Sequence, residues 1–218
     1  NASLTVEQRA EGMFLEARIL MAMRRLDQAI EIFNETIEFH SKDPATYQAI
    51  ERLYEVVQRY PTAIQAVESC YLMAEAHRLA VRLPLAKSGV KTIETTHSAL
   101  NHQVQKGLNA ALAEYTTLQE VLSRREDQKA SLTQLEQSIL RNCYFARGSV
   151  LYDLNRYEES IKVYSTTTDR YQHEPNSIEA FVQIANCYRQ LDQPVEARGT
   201  IEQAKIILSR IDPDAPFE

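Results

Sequence analysis

The chain has 218 residues, with 24 basic and 30 acidic side chains and a formal charge of −6, so it lacks the electrostatic footprint of a nucleic-acid binder. Hydrophobic residues at 44% and charged residues at 25% exclude general disorder and match a soluble globular composition, and no apolar run approaches the roughly 20 residues that span a bilayer. Only 5 Gly and 7 Pro, in a chain rich in Leu, Ala, Glu and Gln, point to helices throughout.

The elements follow in chain order, nine helices in all. Thr5-x-x-Gln8 opens a helix running to about Arg25, with Met13, Ala17, Leu20 and Met21 on one face. Ala29, Ile30, Phe33 and Ile37 mark a second helix, ending before Asp43-Pro44, where Asp can cap and Pro fits the first helical position of a third. Tyr47, Ile50, Leu53, Tyr54 and Val57 form the stripe of that third helix, which Pro61 ends. Thr62-x-x-Gln65 opens a fourth, with Val67, Tyr71, Ala74, Leu79 and Leu83, closed by Pro84.

A sustained apolar stripe comes next: Val90, Ile93, His97, Leu100, Val104, Leu108, Ala111, Tyr115, Leu118 and Leu122, at steps of 3 and 4 with no Pro inside. At 1.5 Å per residue it predicts a helix about 50 Å long. After a polar turn from Arg124 to Ala130, Ser131-x-x-Gln134 reads as a capping box for a helix carrying Leu132, Leu135, Ile139, Cys143, Ala146 and Val150. The two helices predict a long antiparallel hairpin. Arg24-Arg25 and Arg124-Arg125 stand beside acids and read as solvated helix ends. Cys70, Cys143 and Cys187 are odd in number and form no C-x-x-C, so they read as small buried hydrophobes and not as a disulfide framework. The start at Asn1 without Met and the Asp212–Glu218 tail read as the ends of a fragment; the compartment is left open.

Self-similarity is the most informative feature. Asn155-Arg156-Tyr157-Glu158-Glu159-Ser160-Ile161 aligns with Asp192-Gln193-Pro194-Val195-Glu196-Ala197-Arg198, 37 positions on. The same register pairs Tyr144 with Phe181, Gly148 with Ala185, Leu151 with Tyr188, Tyr164 with Ile201 and Thr167 with Ala204, always large with large or small with small. Those residues resemble the tetratricopeptide repeat, with Arg147 standing where that family has Leu. Met13, Ala17, Leu20, Ala29 and Phe33 fit it more loosely, and Tyr60-Pro61 followed by Ala63, Ala66 and Tyr71 resembles junctions in bacterial members, some of them in the cell envelope.

The resemblance implies an all-α, right-handed solenoid of helix pairs, interrupted by the hairpin. The expected divisions are 1–84 for N-terminal helix pairs, 85–131 for the inserted long helix and turn, 132–211 for two C-terminal repeats and 212–218 for a linker. It also implies a protein or peptide partner held in the groove formed by first helices. By that register the groove residues are Asn142, Phe145, Ser149 and Tyr152 from one repeat, and Val182, Gln183, Asn186 and Arg189 from the next. Asn amides can bond a peptide backbone both ways and Arg offers a planar fork. The alternative that these are merely solvated residues stays open. Of the positions with which some members clamp a terminal carboxylate, Asn186 is filled suitably, whereas Val182 and Ser149 replace a Lys and an Asn.

No chemistry competes with this reading. The five glycines are isolated, neither G-x-G-x-x-G nor H-E-x-x-H occurs, and no nucleophile–base pair can be argued from spacing. Glu94-Thr95-Thr96-His97 is half of a di-iron pattern without its second copy, so His97 reads as a core histidine. The expectation is therefore a non-catalytic interaction scaffold with no metal or cofactor. The alternative is a structural or self-association module within a larger multi-repeat protein, acting through the long hairpin.

Overall fold

The computed structural model describes residues 44–59, 64–81, 94–128 and 131–210. Among them are seven helices and no strand: α1 (Pro44–Arg59), α2 (Ile64–Ala80), α3 (Glu94–Asp127), α4 (Gln134–Asp153), α5 (Tyr157–Arg170), α6 (Ser177–Gln190) and α7 (Pro194–Leu208). The two helices expected before Asp43, with Ala29 and Phe33, lie outside the described residues, as does the tail from 211. The chain divides into two compact units, Asn1–Ile139 and Leu140–Glu218.

In the first unit α1 packs on α2 and α2 on α3. Pro44 opens α1, as its fixed φ and missing N–H allow. The core face of α1 is Leu53 and Val56, and Tyr54, expected on the stripe, is 54% exposed. The 34-residue α3 is the long helix predicted from the sequence. From Val104 onward every member of its stripe is buried: Val104, Leu108, Ala111, Tyr115, Leu118 and Leu122. Gly107 lies where α2 ends against α3, because a Cβ there would stand 2.3 Å from Val81 Cγ1.

The turn after α3 is built differently from its expected form. The N-cap of α4 is Thr133, not Ser131: the Glu136 N–H donates to Thr133 Oγ1 at 3.2 Å, and the Thr133 N–H returns a bond to Glu136 Oε2 at 2.9 Å. That reciprocal pair satisfies two N-terminal N–H groups at once. Leu135 consequently faces outward, 43% exposed, while Glu136 is buried. Arg125 is no mere solvated helix end, since its guanidinium reaches Glu136 Oε1 at 2.6 Å. Burial opposes ionisation of Glu136, but the two Thr133 bonds and Arg125 outweigh it and hold the carboxyl below the usual range.

A carboxyl whose pKa falls on folding stabilises the fold above its unfolded value, about 4.3, and stops doing so as the pH drops through the folded one. Urea midpoints measured from pH 7 down to pH 3 are therefore expected to fall less steeply in Glu136→Gln than in the parent. Parallel profiles would remove Glu136 as an acid-labile tie.

The second unit holds the repeat. Asn155 and Asp192, 37 positions apart, both take the left-handed conformation, at φ 60° and 57°. Short polar Asn and Asp tolerate that region. The bonds around each turn repeat as well. Asn155 N–H donates to Tyr152 O at 2.9 Å and Arg156 N–H to Leu151 O at 2.9 Å; Asp192 N–H donates to Arg189 O at 3.2 Å and Gln193 N–H to Tyr188 O at 2.9 Å. These are the bonds that close a helix on a left-handed residue. Small residues occupy the buried crossings: Ser160, Thr167, Ala185, Ala197 and Ala204. Gly148 meets Tyr164 there, so closely that a Cβ would stand 2.6 Å from the ring. Ser160 Oγ donates to Gly148 O at 2.8 Å, which pins the second helix of the pair to the first.

Candidate functional site

The candidate residues lie on α4 and α6, the first helices of successive pairs. Heptad-like apolar positions decide what remains for a site. Ala180, Ile184, Ala185 and Cys187 of α6 are buried, and at about 100° per residue Val182, Gln183, Asn186 and Arg189 fall on another side of the helix, centred near Asn186. Val182 is 40% exposed, Arg189 is exposed, and Gln183 and Asn186 are half-buried. Asn186 Nδ2 donates to Gln183 Oε1 at 3.3 Å, so one turn of α6 presents two amides already oriented toward each other.

The α4 set divides. Asn142 is exposed. Tyr152 is half-buried, stands edge-on to Tyr157 at 5.3 Å, and its hydroxyl accepts from Gln190 Nε2 at 3.2 Å. That contact joins the α4 candidate Tyr152 to the α6 helix that carries the other set. Gln190 was not singled out from sequence, although its place beside Arg189 was the available signal. Phe145 and Ser149 have structural duties. Phe145 packs on the cluster of Tyr164, Ala180 and Ile184 and lies 6.2 Å from the Tyr171 ring. Ser149 is a hydrogen-bonding neighbour of Tyr164, whose hydroxyl burial pushes far above its ordinary range. Tyr171 is tied in further: Arg170 stacks over Tyr144 and Tyr171 at 5.4 and 5.6 Å.

The thiols are packing groups. Cys143 and Cys187 are buried and Cys70 is half-buried, and no disulfide joins the three. Burial, then the charge of Glu114, pushes the Cys70 thiol up to about 11, which favours the protonated form at neutral pH. Among the described residues no three His, Cys, Asp or Glu side chains gather where they could hold a metal ion, and no helix is long and apolar enough to cross a membrane. Glu94 and His97 fall on α3, but their side chains lie outside the described residues.

A search of curated proteins found no match to the chain. Residues 142–166, the stretch from the middle of α4 into α5, match the family model described as tetratricopeptide repeat. That match falls on the pair whose turn and small-residue crossings recur 37 positions later, so residues 142–166 carry a stretch similar to the tetratricopeptide repeat within a chain whose described residues form an all-α helical repeat.

Proposed function

We propose that the chain is a non-catalytic scaffold that holds a segment of a partner protein against the first-helix face of its second unit, in a right-handed stack of pairs. The tetratricopeptide repeat is in general a protein-interaction module, which gives the class of partner. The observation that carries the finer reading is the α6 face, where Val182, the Gln183–Asn186 amide pair and Arg189 stand clear of the core while the Tyr152–Gln190 bond extends the same surface onto α4. Rigid helices hold such groups in place before binding, so little side-chain entropy is lost when a partner arrives. Phe145 and Ser149 act on this surface by supporting it from below.

The test is recovery of partners on immobilised chain, with and without the double substitution Asn186→Ala and Arg189→Ala. Loss of at least nine-tenths of each specifically recovered protein, with circular dichroism unchanged, is expected. Undiminished recovery would remove both residues as contacts. The self-association reading has less support, because Leu108 and Leu118, the long-helix residues that would carry it, are already buried within their own unit.

A further inference from the structure

Between α5 and α7, above α6, the second unit has a cleft of about 390 Å³. Phe181, Ile184 and Tyr188 form its floor, Ile206 and Ile207 stand on the α7 side, and Asp169 on the α5 side. Phe181, Ile184 and Tyr188 fall within an arc of about 60° on α6, opposite the arc centred on Asn186. The cleft is therefore a different surface from the first-helix face.

We propose that this cleft is a second docking site, and that its occupant is an amphipathic helix of a partner protein with large aliphatic side chains one turn apart and a Lys or Arg beside them. The apolar part of the match is a floor of two aromatic residues and one isoleucine, flanked by Ile206, which is 52% exposed. Single exposed aliphatic residues are ordinary, but one edging a concave apolar floor is a place for a side chain to enter.

A helical occupant follows from the walls. Their backbone groups are spent inside α5 and α7, and the hydroxyls of Thr168 and Thr200 donate to Ser165 O at 2.8 Å and Glu196 O at 2.9 Å on their own helices. An extended peptide would give up water along its whole main chain and would find here Ser165, Gln203 and the Tyr188 hydroxyl, too few groups to replace that water residue by residue. A helix arrives with its main chain satisfied. The basic residue follows from charge, because among the described residues Asp169 is the one charged side chain lining the cleft. A carboxylate losing water to a docked apolar face requires a cation to compensate it.

The experiment selects two displayed libraries against the full 218-residue chain, one of helix-stabilised 16-mers and one of Pro-containing extended 16-mers. Binders are then measured by fluorescence anisotropy on the parent, Ile206→Asp, Asp169→Lys and Asn186→Ala. Enriched helices with aliphatic residues at i, i+4 and i+7 and a flanking Lys or Arg are expected. They should bind at least tenfold more weakly to Ile206→Asp and to Asp169→Lys, and as before to Asn186→Ala. Changing the peptide's Lys to Glu should restore binding to Asp169→Lys, a gain that a misfolded variant would not give. No enriched helices, or helices indifferent to both cleft substitutions, would overturn the proposal. So would extended peptides lost on Ile206→Asp, or a parent chain whose sedimentation shows a dimer that Ile206→Asp dissolves. Binders lost on Asn186→Ala alone would overturn the cleft while leaving the first-helix face standing.

Discussion

Gly148→Ala is expected to destabilise the second unit by about 1–2 kcal/mol, and Gly199→Ala to stabilise it by about 0.5–1 kcal/mol, although both replace a glycine inside a helix. The helix propensity gained is the same in each, up to about 1 kcal/mol. The surroundings decide the sign. A Cβ at Gly199 meets nothing within 4 Å, so the propensity gain stands alone. At Gly148 a Cβ would stand 2.6 Å from two Tyr164 ring carbons and 2.8 Å from a third. Tyr164 cannot easily retreat, because it is buried against Ala180 and Ile184. Overpacking of this kind typically costs about 1–3 kcal/mol. Moving α5 away instead would stretch the bond from Ser160 Oγ to Gly148 O, leaving a buried hydroxyl poorly paired. Urea midpoints followed by amide exchange in residues 140–210 measure both. Equal signs for the two variants would mean that the crossing is not the tight point of the repeat.

That crossing is legible in the sequence, because it rests on a side-chain size rule: small residues recur where helices touch, and Ser160 and Ala197 align at one interval with their neighbours. The long α3 stripe was legible for the same kind of reason. Its spacing of 3 and 4 holds over several turns, and each described member from Val104 to Leu122 is buried. What spacing could not decide was anything set by competition between neighbours. Ser131 and Thr133 both can cap, and the choice went to Thr133 because its third residue onward is Glu136, which Arg125 reaches from the preceding helix. The same competition reversed Leu135, which turned outward. In the candidate site, the α6 residues come from the register that the resemblance to the tetratricopeptide repeat implies, and helix geometry puts Val182, Gln183, Asn186 and Arg189 on one side of α6. Phe145 and Ser149 could not be placed that way, because what draws them inward is Tyr164 on α5 and Tyr171 just after its end, partners remote in sequence.

The network beneath α3 leads to the largest expected loss in the first unit. Tyr115→Ala should destabilise it by about 3–5 kcal/mol, the range for truncating a buried aromatic residue. Tyr115 is fully buried, its ring stands 6.1 Å from that of Tyr71, and its hydroxyl donates to the carboxylate of Glu75 on α2. Burial and then the Glu75 charge push that hydroxyl far above its ordinary range, so at neutral pH it is a neutral donor. Glu75 also accepts from Arg78 Nη2 at 2.8 Å. Tyr115→Phe separates the ring from the bond: it keeps the packing and should cost about 1.5–3 kcal/mol, as for a hydrogen bond to a charged group. Glu75→Gln should cost less than Tyr115→Phe, since an amide oxygen can still accept from Tyr115 and Arg78 lies partly in water, at 29% exposure. In Tyr115→Phe the carboxylate instead loses a donor that water cannot fully replace. The double variant should be less destabilised than the sum of the two, because each substitution removes part of what the other acts on. Strict additivity in urea denaturation would show that the hydroxyl and the carboxylate do not depend on one another, and that the tie between α2 and α3 is the ring packing alone.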